Sequence, residues 1–255
     1  MPTLALDTPQ MRAKIALAKE YGDKVKSISF AYNRQLRSIW ERHLSLIRKA
    51  IAKREYIEPI LDSLISSLRE LLSQVIDSTI GLAYKREDLD DKNIISFIPM
   101  MAAQCNVSYY DDTLLKYKGI LQEEIDFALE NGYTDELPIF LDNPLAYLTL
   151  KQTGLLSFKD SIQEAGKGVS YSFGENMKKL GISVAALAYA NAQFSIWNQN
   201  SAISGYFGVR NSSYPCPLCD SYAYRFIPMS EGMVYPLHNR CVCSIVPVTQ
   251  SELSL

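Results

Sequence analysis

From residue 11 to about 54 the chain has no proline and a single glycine, Gly22, and apolar residues return every three or four positions. Val25, Ile28, Tyr32, Leu36, Ile39, Ile47 and Ile51 form the stripe, with Leu44 close by. That spacing is the period of an amphipathic helix, and unbroken it would extend about 65 Å at 1.5 Å per residue. Gly22 is the expected interruption. A second stripe opens at Pro59, a residue suited to a first helical turn. It runs through Ile60, Leu61, Leu64, Ile65, Leu68, Leu71, Leu72, Val75, Ile76 and Ile80. Together the two stripes predict a long helical hairpin over 11–83, with both apolar faces spent on core packing.

Residues 85–92 read as a charged, solvated loop, followed by an apolar run over 94–103 broken at Pro99. A third helix fits 112–131, with Leu114, Leu115, Ile120, Leu121, Ile125 and Ala128 on one face and Gly132 placed as its C-terminal cap. Asn143-Pro144 marks a short helix stopped at Gly154, and two more helices fit about 157–180 and 183–201, separated by Gly181. Beyond Gly205 the period changes. Tyr222, Tyr224 and Phe226 alternate with Ala223, Arg225 and Ile227, and Met233–Leu237 follows the turn-like Pro228–Gly232. This alternation predicts a β-hairpin, and 243–248 a last short strand. The expected fold is mainly α and α+β overall: a helical body over 1–205 and a small Cys/His β-module over 206–255.

The chain has 255 residues, enough for a substantial core. Its net charge of -2 gives no whole-chain argument for nucleic acid or an anionic membrane. The distribution says more. Residues 1–55 carry 12 Lys/Arg against 5 Asp/Glu, and residues 56–150 carry 6 against 17. Either the two regions complement each other, or the basic first helix faces DNA or an acidic partner. No apolar run approaches the ~18 residues of a spanning helix, and Met1–Asp7 lacks the basic start of a signal peptide. A protein made in the cytoplasm is expected, its cysteines bound to metal and not paired in disulfides.

Four of the five cysteines and one of the two histidines fall in one C-terminal segment: Cys216-Pro-Leu-Cys219, then His238-Asn-Arg-Cys241-Val-Cys243. Thiolates and an imidazole at such spacing suit a tetrahedral Zn²⁺ site. Five donors compete for four positions. Cys216, Cys219 and His238 are the preferred ligands, with either Cys241 or Cys243 as the fourth, since residues i and i+2 share one side of an extended strand. Four protein ligands leave no open position, so the site is expected to be structural. His43 is expected on a helix face, and substitution of Cys105 to matter little. No phosphate-binding loop, dinucleotide fingerprint or nucleophile elbow occurs, and the acidic pairs Asp111-Asp112 and Glu123-Glu124 read as solvated faces. No enzymatic activity is expected.

The string Cys216-Pro-Leu-Cys219-Asp-Ser, then Leu237-His238-Asn-Arg-Cys241-Val-Cys243-Ser-Ile-Val-Pro-Val248, resembles the ending of the Mu F-like phage head morphogenesis (minor head protein) family. The helix before it, 185–201 with Asn191, Gln193 and Trp197, occupies the place of that family's final helix. The resemblance spans 185–248. His238-Asn239 stands where the family has His-Pro, Cys241-Val242-Cys243 where it has Cys-Arg-Cys, and the Arg-Thr-Glu-like signature of the preceding helix is missing. The resemblance implies a minor capsid protein of the virion, made in the bacterial host and acting in head assembly. Its implied partners are the portal and other capsid proteins, with DNA contacted through the basic first helix. The alternatives are a zinc-stabilised nucleic-acid-binding protein and, further off, a toxin-like enzyme carrying the same C-terminal module.

Overall fold

The first apolar stripe folds as one uninterrupted helix, α1 (Pro9–Lys53). Thr8 caps its start, its side-chain oxygen accepting from the Met11 amide at 3.1 Å, with Pro9 in the first turn. The break expected at Gly22 does not occur. A Cβ at Gly22 would stand 1.7 Å from Nδ2 of Asn211 and 2.3 Å from Oγ of Ser244, so this glycine permits a close approach to the helix and does not end it. The end of α1 is made by Arg54, whose φ of 57° is left-handed. The Glu55 amide reaches the Ala50 carbonyl at 2.8 Å and the Arg54 amide that of Ile51 at 3.0 Å. This is the paired bonding that closes a helix at a position glycine normally fills. Arg54→Gly is therefore expected to stabilise the protein by about 0.5–1 kcal/mol, because the left-handed conformation costs an L-residue of that order; thermal melting checks the direction.

The second stripe forms α2 (Glu58–Arg86). The computed structural model describes residues 3–4, 6–87, 173–211, 214–238 and 241–254, and ten helical positions between 112 and 130. Of the loop expected over 85–92, Lys85 and Arg86 are instead the last residues of α2, and 88–92, the run at 94–103, Cys105, the helix starting at Pro144 and the stretch 157–172 lie outside the described residues. The expected third helix is helical at each of its described positions, from Asp112 to Glu130. A third long helix, α3 (Phe173–Asn198), passes through Gly181 without a break, contrary to the separation expected there. Helix dominates, and the C-terminal part adds a three-stranded antiparallel sheet of β2 (Ile203–Val209), β3 (Ile227–Pro228) and β4 (Ser244–Thr249) in the order β3-β2-β4. The fold is thus mainly α and α+β overall. A two-residue strand β1 (Thr3–Leu4) pairs with β5 (Leu253–Ser254).

The chain divides into two compact units. One comprises 32–73 and 107–180. Here Tyr32, Leu36, Leu44, Ile47 and Ile51 of α1 are buried, as are Leu61, Leu64, Leu68 and Leu72 of α2. His43 is 1% exposed. Its Nδ1 donates to the Ile39 carbonyl at 2.8 Å, which leaves Nε2 to accept from the Ser63 hydroxyl at 3.2 Å. It is a satisfied core residue, as its place on a helix face suggested.

The other unit comprises 1–31, 74–106 and 181–255. The boundary expected at 205/206 falls inside β2, the central strand of this unit's sheet. Side chains alternate across that sheet. Phe207, Val209, Val246 and Val248 pack with Met11 and Ala18 of α1, while Tyr206 and Ile245 pack with Ala190 and Trp197 of α3. Burial on both faces lets β2 keep Gly205 and Gly208. Rings lie over the bare backbone: a Cβ at Gly205 would meet Phe226 at 2.5 Å, and one at Gly208 would meet Tyr235 at 2.1 Å.

The hairpin expected over 222–237 is not formed. Residues 217–222 are a short helix, α4 (Pro217–Tyr222), and Tyr224 is left-handed at φ 61°, so the Tyr/Phe alternation never becomes a strand. Ile227–Pro228 pairs antiparallel with β2, and Ala223 makes a single parallel bridge to Gly208. Residues 233–237 are held by side chains instead: the Tyr206 hydroxyl donates to the Gly232 carbonyl at 2.8 Å and accepts from the Val234 amide at 2.7 Å.

Candidate metal centre

Local bonding places each donor. Cys216 precedes α4 as its N-cap, its sulfur accepting from the Cys219 amide at 3.5 Å with Pro217 in the first turn. The Asp220 amide bonds the Cys216 carbonyl at 2.9 Å, so Cys216 and Cys219 face the same way across one turn. Arg210, at the end of β2, grips this turn from outside through the Asp220 carboxylate and the Tyr214 carbonyl. The Tyr235 hydroxyl donates to the Tyr222 carbonyl at 3.1 Å, tying the far end of α4 to the chain that leads into His238. A second turn is closed by the Cys241 amide on the His238 carbonyl at 3.0 Å. β4 begins immediately after Cys243.

All five expected donors come into one neighbourhood. Nε2 of His238 lies 3.2 Å from Sγ of Cys216 and 3.1 Å from Sγ of Cys219, and Sγ of Cys219 lies 3.8 Å from Sγ of Cys241. They form two triplets that share Cys219: Cys216, Cys219 and His238, and Cys219, Cys241 and Cys243, with the donor atoms of each within 4.8 Å of one another. Either triplet can hold a metal ion. The four cysteines of the module are free thiols, and a gap of 3.8 Å is far beyond a disulfide bond of about 2.05 Å. His238 is exposed, Cys216 and Cys243 are half-buried, and Cys219 and Cys241 are buried in the core cluster of Trp197, Tyr206, Tyr235 and Ile245.

The thiols have unequal proton affinities. Amide and thiol hydrogen bonds from Cys219 hold the Cys216 thiol below its ordinary value. Burial pushes Cys219 up to about 12. A hydrogen bond from Cys243 lowers Cys241 to about 5, and the same bond, with burial, raises Cys243. Metal binding would replace protons on these sulfurs, so binding at this cluster would depend on pH.

Sequence reasoning found the donors and missed what holds them. Arg210, Tyr206, Tyr235 and Gly208 carry no metal chemistry; the glycine-aromatic string Gly205-Tyr-Phe-Gly208 is a signal for Tyr206 and Gly208, and none marks Arg210 or Tyr235. Away from the centre, several basic residues of α1 are engaged by neighbours. Lys14 pairs with Glu252, Lys24 with Glu20, Lys26 with Asp23 and Arg37 with Glu41, all at 2.7–2.8 Å. None of the described helices is long and apolar enough to cross a membrane. Compared with protein-family models, with curated proteins and with solved structures, the chain matches none.

Proposed function

We propose that the protein is a minor component of a phage head, acting in head assembly in contact with the portal and other capsid proteins, with its C-terminal module locked by a structural Zn²⁺. One observation carries the reading: the residues on which the resemblance to the Mu F-like family rests, Cys216, Cys219, His238, Cys241 and Cys243, converge in space. Zinc suits them chemically. Bonds of about 2.3 Å to sulfur and 2.0–2.1 Å to nitrogen in a tetrahedron set S···S edges near 3.8 Å and S···N edges near 3.5 Å. The observed 3.8 Å and 3.1–3.2 Å are close to both. A fourth cysteine drawn from the second triplet would complete the set and leave no position for a reacting water, which favours a structural role. The protein's remaining surface is what a head component would offer to its neighbours. Because α1's basic residues are partly paired within the chain, the reading rests on the module and not on contact with packaged DNA.

Quantitative mass spectrometry of purified virions from the phage or prophage that encodes the chain tests it. A fixed copy number near that of the portal, or a small multiple of it, is the expected result. Absence from both proheads and virions overturns it.

A further inference from the structure

We infer that Cys241 supplies the fourth ligand of the metal centre and that Cys243 stands beside it as an unligated thiol. The inference rests on the metal reading above and resolves a choice that spacing leaves open, since the two cysteines share one side of an extended chain.

Three observations separate them. The first is the turn: the Cys241 amide closes on the His238 carbonyl at 3.0 Å. His238 and Cys241 are thereby presented three residues apart, as Cys216 and Cys219 are by the turn that ends in the Asp220–Cys216 bond. Each turn supplies a pair of donors, and the two pairs meet where the Cys219 and Cys241 sulfurs approach. The second is distance. The Cys219–Cys241 sulfur separation of 3.8 Å is already that of a tetrahedral zinc–thiolate edge. The third is freedom to adjust. Ser244 is paired with Val209 at the start of β4, so its neighbour Cys243 is anchored to the sheet, two residues and about 6.6 Å of extended chain beyond Cys241. Bringing Cys243 onto the ion would pull on that ladder, whereas Cys241 precedes the strand and can follow the ion. The Cys243 sulfur lies within 4.8 Å of the Cys241 and Cys219 sulfurs. There it acts as an outer partner that orients a ligand it does not replace.

The test uses the full chain loaded with Zn²⁺, and with Co²⁺ as a reporter of thiolate number. Wild type should bind one metal per chain. Cys243→Ser should keep that stoichiometry and the intensity of the cobalt–thiolate charge-transfer band. Cys241→Ser should lose about 100-fold or more in affinity, as expected for one of four ligands. The reverse pattern, equal losses in both variants, or full retention in both overturns the assignment. Alkylation of the zinc-loaded wild type, mapped by peptide mass spectrometry, gives an answer even if Cys241→Ser does not fold. Cys243 should be modified while Cys216, Cys219 and Cys241 are protected until a chelator is added; protection of Cys243 with modification of Cys241 overturns the assignment. A wild type that binds no metal defeats the metal reading itself.

Discussion

Cys216→Ser is expected to release the metal and loosen residues 210–240 while the helical hairpin stays folded. The substitution is well suited to isolating the metal's contribution. Cys216 also caps α4, its sulfur accepting from the Cys219 amide, and serine is at least as good a cap. The capping bond therefore survives and only the ligand is lost. Cys219→Ser should release the metal too, with an added cost from placing a hydroxyl at a site only 4% exposed. The size of the effect follows from linkage. The binding free energy of a structural zinc site, on the order of 10 kcal/mol, is largely folding free energy for the small module it closes. The described elements between β2 and β4 are short, a six-residue helix and a two-residue strand among them, and they rest on a small cluster of buried side chains that includes Cys219 and Cys241 themselves. The strands β2 and β4 should hold, because Phe207, Val209, Val246 and Val248 pack on Met11 and Ala18 independently of the donors. Hydrogen exchange should show protection falling across 210–240 and persisting in α1 and α2, and a chelator should reproduce the pattern in wild type. Unchanged exchange with metal still bound would mean the ligands are wrongly assigned.

A second large effect is expected far from any donor. Gly208→Ala should destabilise the protein by about 3 kcal/mol, at the upper end of what overpacking a core costs, and should weaken metal binding as well. The added Cβ would fall 2.1 Å from Cζ and Oη of Tyr235 and 2.6 Å from Cε1. The ring has nowhere to retreat. Tyr235 is 2% exposed, packs edge-on against Tyr206 with centroids 6.4 Å apart, and holds α4 through the Tyr222 carbonyl. Displacing it moves the segment that delivers His238, three residues later, and releases the far end of the Cys219 helix. Gly81→Ala is the matched control: a Cβ there meets nothing within 4 Å, and alanine in a helix interior should gain up to about 1 kcal/mol. Thermal melting of the two variants side by side decides it. If Gly208→Ala melts with wild type, the ring-on-glycine contact is not holding the module.

These two sites differ in how visible they were. Cys216, Cys219 and His238 announced themselves, because metal ligation needs particular atoms at short spacings and those residue types are rare elsewhere in the chain. Gly208 did not, because its meaning lies in Tyr235, 27 residues away. The same contrast runs through the fold. The stripes of α1 and α2 were legible since the helical period is a property of neighbours three and four apart. The run from Ser244 to Thr249 was legible as a strand for the same local reason.

Errors came where a distant partner overrode a local signal. Gly22 and Gly181 look like helix breaks, yet the helices run through both, and Gly22 is there to admit Asn211 and Ser244. Gly205 and Gly208 sit in the central strand under aromatic rings, a strand the period did not predict. Tyr222, Tyr224 and Phe226 alternate like a strand, yet the Cys216 cap and Pro217 start a helix that ends at Tyr222, and Tyr224 turns left-handed.

By itself, then, the sequence determined the long helices, the closing strand, the predominance of helix and which five side chains could meet as candidate donors. Each of these depends on local period or on chemistry that few side chains possess. Only the tertiary structure decided which glycines interrupt and which make room, that the sheet is built on 203–209, and that the donors fall into two triplets hinged on Cys219. Those outcomes are set by which atoms meet across long stretches of chain, where the space left by one segment fixes the conformation another can adopt.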